Sequence, residues 1–271
     1  MVFRCKYYSV CPLRNNQNIC GHGMEAPKLK SYHPRSGGKE ECFFAHIIAC
    51  LNIWKNILEK RYLQSIRRVL SNTIHARLSE NNIKNLMRFL LINHDAGKLT
   101  NEYQTGKYWR HELISAYIVY RRLKESAFAN SPLLQSIATS AVYLHHEALQ
   151  ISHGIEELRF PTYSYLINYL HKQSFTINEV HLDGLFELEK GEGITLKKFS
   201  LNEIKGHTIA STLGSVISVM DGHYEATKLR LAVAVILQPL VICDVLAGRE
   251  RGGNPPHLAQ FLRDLIEVDD V

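Results

Sequence analysis

The 271-residue sequence has no uninterrupted apolar run of the roughly 20 residues that a membrane span requires. Its most apolar stretch, Leu231 to Ala247, is broken by Gln238, Pro239 and Asp244 and reads as a buried helix, so no membrane association is expected. The opening residues, Met1-Val2-Phe3-Arg4-Cys5-Lys6, lack the apolar segment of a signal peptide. A cytoplasmic location, with the six cysteines as reduced thiols, is the corresponding expectation. Charge of one sign is also scarce: 32 Lys and Arg against 26 Asp and Glu leave +6. That excess is compatible with a polyanionic partner and does not establish one. There is no phosphate-binding loop, because Gly37-Gly38-Lys39-Glu40 lacks the Ser or Thr and the spacing. Neither an internal repeat nor a low-complexity tract is visible. With 45% hydrophobic and 21% charged residues, a disordered chain is excluded.

Residues 1–38 differ from the rest, with Cys5, Cys11, Cys20 and His22 set among Pro, Gly, Asn and basic residues. Their irregular spacing, without a Cys-x-x-Cys pair, leaves two readings: a small zinc knot, or an arm packed across the domain surface. We take this stretch as an extension. Residues 39–255 form the main domain, with an irregular or β-hairpin insertion at about 174–204, and 256–271 are a closing helix of the same domain.

Helical periodicity governs that main domain. His46, Cys50, Ile53 and Ile57 recur at four-, three- and four-residue spacing, which puts His46 on an inward face. A single His there is ordinarily a satisfied core residue; its company reverses that prior. His33 is the rival for its role. Ser79 is an N-cap candidate for a helix through Ile83, Leu86, Met87 and Leu90 to His94-Asp95, with Gly97 suited to a left-handed stop. Another helix opens at His111 and carries Arg121, Arg122 and Lys124 on its outer side, read either as a solvated face or as contacts to phosphates. From Ser131, Leu134, Ala138 and Ala141 lead in register to His145-His146. Buried imidazoles need partners, and two in succession on an apolar stripe point to a metal. Val233, Leu237, Leu240 and Val241 lead likewise to Asp244, a carboxylate that is costly on such a stripe without a cation or donor. His153, His171, His181 and His207 have no comparable company and are read as structural or exposed.

Collected, His46, His94, Asp95, His111, His145, His146 and Asp244 are too many donors for one ion with open positions. They suit two ions sharing Asp95: His46, His94, Asp95 and Asp244 for one, and Asp95, His111, His145 and His146 for the other. The imidazole-rich shell favours Mn, Ni, Co, Fe or Zn over Mg. Such a pair acidifies a bridging water and offsets charge on an attacked phosphate. Lys98 would neutralise the same charge, and phosphodiester hydrolysis is the expected reaction. Tyr103, Tyr108 and Trp109 are candidates for stacking on exposed bases, or ordinary core and surface aromatics.

The run His94-Asp95-Ala96-Gly97-Lys98, then Tyr103-Gln104, Arg110-His111-Glu112 and Ser115-Ala116, followed by Leu144-His145-His146 and Asp244, resembles the CRISPR-associated HD nuclease of type I interference systems. The resemblance spans roughly residues 40 to 250. It implies an all-α HD-superfamily helical bundle and metal-dependent cutting of single-stranded DNA, and of RNA as a further substrate. Asp95 and Lys98 would be catalytic, two divalent ions (Mn, Ni, Co, Fe or Mg) the cofactors, and Arg110, Arg121, Arg122 and Lys124 the contacts to nucleic acid. Without helicase motifs, the chain resembles the stand-alone form that works with a separate helicase chain and an RNA-guided surveillance complex. Two rivals share the residues: an HD phosphohydrolase acting on nucleotides or cyclic dinucleotides, although no Gly-Tyr-Pro signature follows the His pair, and a catalytically silent scaffold subunit.

Overall fold

The computed structural model describes residues 29–32, 41–107, 110–146, 162–197, 203–221 and 225–248. Cys5, Cys11, Cys20, His22 and His33 of the extension, Tyr108, Trp109, His153 and the expected closing helix at 256–271 lie outside the described residues. In chain order the elements are β1 (Lys30–Tyr32), β2 (Glu41–Cys42), α1 (Phe43–Ile53), a π-helical turn (Trp54–Leu58), α2 (Glu59–Thr73) and α3 (Glu80–Asn93). After a 3-10 turn (Ala96–Leu99) come α4 (Asn101–Gln104), α5 (His111–Leu123), α6 (Pro132–Leu144), α7 (Thr162–Leu170) and β3 (Ser174–Thr176). The described elements end with α8 (Glu179–Gly191), β4 (Glu203–Lys205), α9 (Gly206–Asp221) and α10 (Ala226–Ala247). The fold is a helical bundle with two small antiparallel sheets, β1–β2 and β3–β4.

Local chemistry sets the helix ends. Ser79 and Asn82 form a reciprocal capping box on α3, Ser79 Oγ accepting from Asn82 N at 3.1 Å and Asn82 Oδ1 from Ser79 N at 2.9 Å. Ser131 caps α6 with Pro132 at its first position, where a missing N–H costs nothing. The helical register of His46, Cys50, Ile53 and Ile57 runs from α1 into the π-helical turn, in which Trp54 is fully buried.

The core is one apolar cluster threaded by α10, which packs on α1, α2 and α6, while α5 packs on α6. α10 is long and apolar enough to cross a membrane, yet its Ile236, Leu240 and Cys243 are fully buried, as befits a bundle's central helix. It continues through Pro239 to Ala247, carrying Asp244 into the bundle.

The irregular or β-hairpin insertion expected at about 174–204 contains an antiparallel strand pair and more. Phe175 pairs with Ile204 in the β3–β4 ladder, but the segment between the strands holds the thirteen-residue helix α8. Leu182, Leu185 and Leu188 give α8 a buried three-residue stripe, against which the scattered glycines misled. α8 packs on α3 and the 3-10 turn, just behind the His94-Asp95 segment.

Candidate metal centre

Five elements deliver the seven candidate donors to one place. α1 supplies His46, the end of α3 His94 and Asp95, the first turn of α5 His111, the end of α6 His145 and His146, and α10 Asp244. Asp95 lies at the centre and its two oxygens face different neighbours. Oδ1 is 3.3 Å from His111 Nε2, 3.4 Å from His145 Nε2 and 3.9 Å from His146 Nε2. Oδ2 is 3.6 Å from both His46 Nε2 and His94 Nε2, and Asp244 Oδ1 lies 3.0 Å and 3.8 Å from the same two nitrogens. Donors about 2.0–2.2 Å from one tetrahedral ion stand about 3.4 Å apart, so both groups have metal-site spacing.

The unsatisfied atoms point the same way. His94 Nε2, His145 Nε2 and Asp95 Oδ1 are buried without a hydrogen-bond partner. Each such atom costs about 1–3 kcal/mol unless something fills the gap. The opposite ring nitrogens are committed: His94 Nδ1 lies 2.8 Å from Leu91 O and His145 Nδ1 2.5 Å from Val142 O. If each Nδ1 donates to its carbonyl, the Nε2 lone pairs aim inward, an arrangement usual for metal-binding imidazoles. Glu41 does the same for His46, its Oε2 standing 3.2 Å from Nδ1. The residues present therefore fit divalent ions.

Electrostatics follow from the same contacts. Burial raises the Asp95 carboxyl, but Lys98, His94, His111 and His145 outweigh it and hold the group well below the usual carboxylate range. Asp244 is likewise held well down, by its contacts with His46 and His94 against its burial. Burial lowers His46, and the Cys50, Glu41 and Asp244 groups around it outweigh that effect and raise it well above an ordinary histidine. His111, desolvated and facing His146 and Lys98, is pushed down to about 3 and is a neutral donor at physiological pH. Its Nε2 lies 2.7 Å from His146 Nε2, at the more open side of the cluster, where the His146 side chain is 38% exposed.

The turn after His94 departs from the expected left-handed glycine stop. His94 closes α3 in right-handed helical geometry, and Gly97 sits within the 3-10 turn. Glycine is needed there for another reason: a Cβ at Gly97 would lie 2.1 Å from the His111 carbonyl oxygen. Gly97 N also donates to Ser115 Oγ at 2.9 Å. The turn and α5 thus meet backbone to backbone, which fixes Asp95 against His111. Lys98 returns over the site as expected, buried and 2.6 Å from Asp95 Oδ2.

The basic residues separate. Arg110 packs at the edge of the centre, ion-paired with Glu112 and set over the Tyr143 ring. Arg121 and Lys124 are exposed and stack on Tyr117 and Tyr120 of their own helix. Arg122 corrects the expectation of a phosphate contact: it is only 2% exposed and ion-paired with Glu189 of α8. Tyr103, buried, gives its hydroxyl to Ser31 O at 2.7 Å and lies edge-on to His111, so it packs in the centre's wall instead of offering an open stacking face. Glu41 and the Asn93–Glu189 bond (2.8 Å) escaped the sequence reading. Each acts on a candidate residue through a contact between segments, as Ser115 of the Ser115-Ala116 pair does through Gly97.

Buried His and Asp donors converging from separate helices of one bundle define an HD-type metal centre. Residues 33–164 match the family described as Cas3, HD domain. Two relatives, both named CRISPR-associated endonuclease Cas3-HD, come from Pyrococcus furiosus and Methanocaldococcus jannaschii. The first is 31% identical over 237 residues, 80% of this chain and 92% of the relative. The second is 28% identical over 248 residues, 83% of this chain and 92% of the relative. The solved structure of the CRISPR-associated Cas3 HD domain protein from Methanocaldococcus jannaschii superposes with a TM-score of 0.56 at 25% identity, covering 74% of this chain and 95% of that one. The chain belongs to the Cas3 HD domain family and is a CRISPR-associated HD nuclease.

Proposed function

We propose that the chain cuts single-stranded DNA, with RNA as a second substrate, by hydrolysing phosphodiester bonds at a two-ion centre during CRISPR type I interference. One observation carries the reading: the two oxygens of a single buried carboxylate, Asp95, face two separate donor groups. When bound, two divalent ions acidify water and offset the charge that builds on an attacked phosphate.

The chain's own residues prepare that chemistry. Asp95, held ionised by Lys98 at 2.6 Å, offers one oxygen to each position. His46, His94 and Asp244 would complete the deeper position, and His111, His145 and His146 the more open one, where a strand would enter beside the exposed His146. Lys98 keeps further N–H donors for a phosphate oxygen, in a site dry enough to make them count. Arg121 and Lys124 lie about 15 Å or more from His111 along α5, at 1.5 Å per residue, and would hold a strand at a distance from the cut. A separate helicase chain and an RNA-guided surveillance complex would supply that strand in the cytoplasm, and the relatives' name favours endonucleolytic cutting.

The test is cleavage of labelled single-stranded DNA with Mn²⁺, Ni²⁺ or Mg²⁺, comparing the wild type with Asp95→Asn. Metal-dependent cleavage abolished by the substitution is expected, with internal products from a circular strand. Hydrolysis of a nucleotide panel without DNA cleavage would replace this reading with the phosphohydrolase one.

A further inference from the structure

Cys50 lies one helical turn after His46 on α1 and shares its inward face. Its Sγ stands 3.7 Å from His46 Nε2. Donor atoms of His46, Cys50 and His94 lie within 4.8 Å of one another, and all three residues are fully buried. The same imidazoles also belong to the carboxylate group with Asp95 and Asp244. An ion held by one imidazole and one thiolate, at about 2.05 and 2.3 Å in tetrahedral geometry, places nitrogen and sulfur about 3.6 Å apart. The Cys50 spacing matches that. A second observation points to a ligand: His94 Nε2, buried and without a hydrogen-bond partner, lies 3.6 Å from Asp95 Oδ2 and 3.8 Å from Asp244 Oδ1 at this same position.

We propose that His46, Cys50 and His94 form a thiophilic-ion site that shares its imidazoles with the deeper position of the two-ion centre. Imidazole nitrogen and thiolate sulfur select Zn²⁺ or Co²⁺, whereas the two carboxylates suit Mn²⁺ or Mg²⁺. On binding, the Cys50 S–H bond breaks, a sulfur–metal bond forms and the proton leaves to solvent; no electron is transferred. Zn²⁺ in this site draws His46 and His94 away from Asp95 and Asp244 and competes with the ion that supports cleavage. The inference rests on the two-ion reading for the role of the imidazoles.

Cobalt separates the two claims, because visible d–d bands report any coordinated Co²⁺ and a near-ultraviolet sulfur-to-cobalt band reports a thiolate ligand. The full-length chain is used with Cys5, Cys11 and Cys20 changed to Ser, so that those thiols contribute nothing. Both bands are expected in this background and in Cys243→Ser. Cys50→Ser should lose the sulfur band and keep the d–d bands. Zn²⁺ affinity should fall at least about tenfold in Cys50→Ser with Mn²⁺ affinity unchanged. Cys50→Ala, which places a small apolar residue in this buried position, repeats the measurement should the hydroxyl disturb folding. A d–d spectrum without the sulfur band, or a sulfur band that survives both Cys50 variants, overturns the inference alone. Absence of every cobalt band removes the two-ion reading and this inference with it.

Discussion

Gly97→Ala should disable the centre without touching any donor. A methyl at Gly97 would stand 2.1 Å from His111 O, 2.9 Å from its carbonyl carbon and 3.0 Å from Ile114 Cβ. Backbone atoms on both sides cannot yield as a flexible side chain would. Relief requires the 3-10 turn and α5 to separate by about 1 Å or more, since carbon–oxygen contacts ordinarily exceed 3.0 Å. That movement stretches the 2.9 Å Gly97–Ser115 bond and the 3.3 Å Asp95–His111 spacing together. Overpacking of this kind costs about 1–3 kcal/mol. A displacement near 1 Å in a positioned site costs on the order of a hundredfold in rate. Urea denaturation and single-stranded DNA cleavage measure the two losses. Gly106→Ala is the control: its φ of +78° carries a strain of about 1–2 kcal/mol, but nothing lies within 4 Å of the added carbon. Gly106→Ala should therefore lose stability and retain activity. A Gly97→Ala protein with wild-type stability and full cleavage would refute the close-approach argument.

How legible the centre was depended on whether a residue's role is local. His46, His94, His145 and Asp244 each end or interrupt an apolar stripe, so periodicity alone places them on buried faces. The structure brings them together with Asp95, His111 and His146 in the two groups that counting donors suggested. Roles created by contact between distant segments were not legible. Arg122 sits in a basic run with Arg121 and Lys124, and nothing in the chain distinguishes it from them. It is internal because α8, sixty-seven residues away, brings Glu189 against it. α8 was itself missed because Gly184 and Gly191 dilute its leucine stripe, and burial against α3 supplies what propensity lacks. Gly97 was recognised as necessary and given the wrong cause, since a close approach from another helix leaves no local signature.

Ion binding should stabilise the chain: at a hundred times Kd, Mn²⁺ adds about 2.7 kcal/mol for one site, read as a rise in Tm that a chelator reverses. Asp244→Asn and His146→Ala should each remove one of two bound ions by equilibrium dialysis, whereas Asp95→Asn should weaken both; one ion in the wild type would refute the shared carboxylate. The last prediction concerns the pair behind the centre. Arg122 and Glu189 are each 2% exposed, and Glu189 also accepts from Asn93, the residue before His94. Arg122→Met removes the cation that opposes burial of the Glu189 carboxylate and should cost about 3–5 kcal/mol at neutral pH, while Arg122→Met with Glu189→Leu should recover most of it. Burial raises the Glu189 carboxyl against the opposing pull of Arg122 and Asn93. A raised carboxyl binds its proton more tightly in the folded state, so its contribution is full below the unfolded value of about 4.3 and is lost as pH rises through the folded value. In metal-free protein, the wild type should therefore lose stability relative to Glu189→Gln as pH climbs from 4. A difference that is flat or grows with pH would mean that Arg122, and not burial, dominates the Glu189 carboxyl.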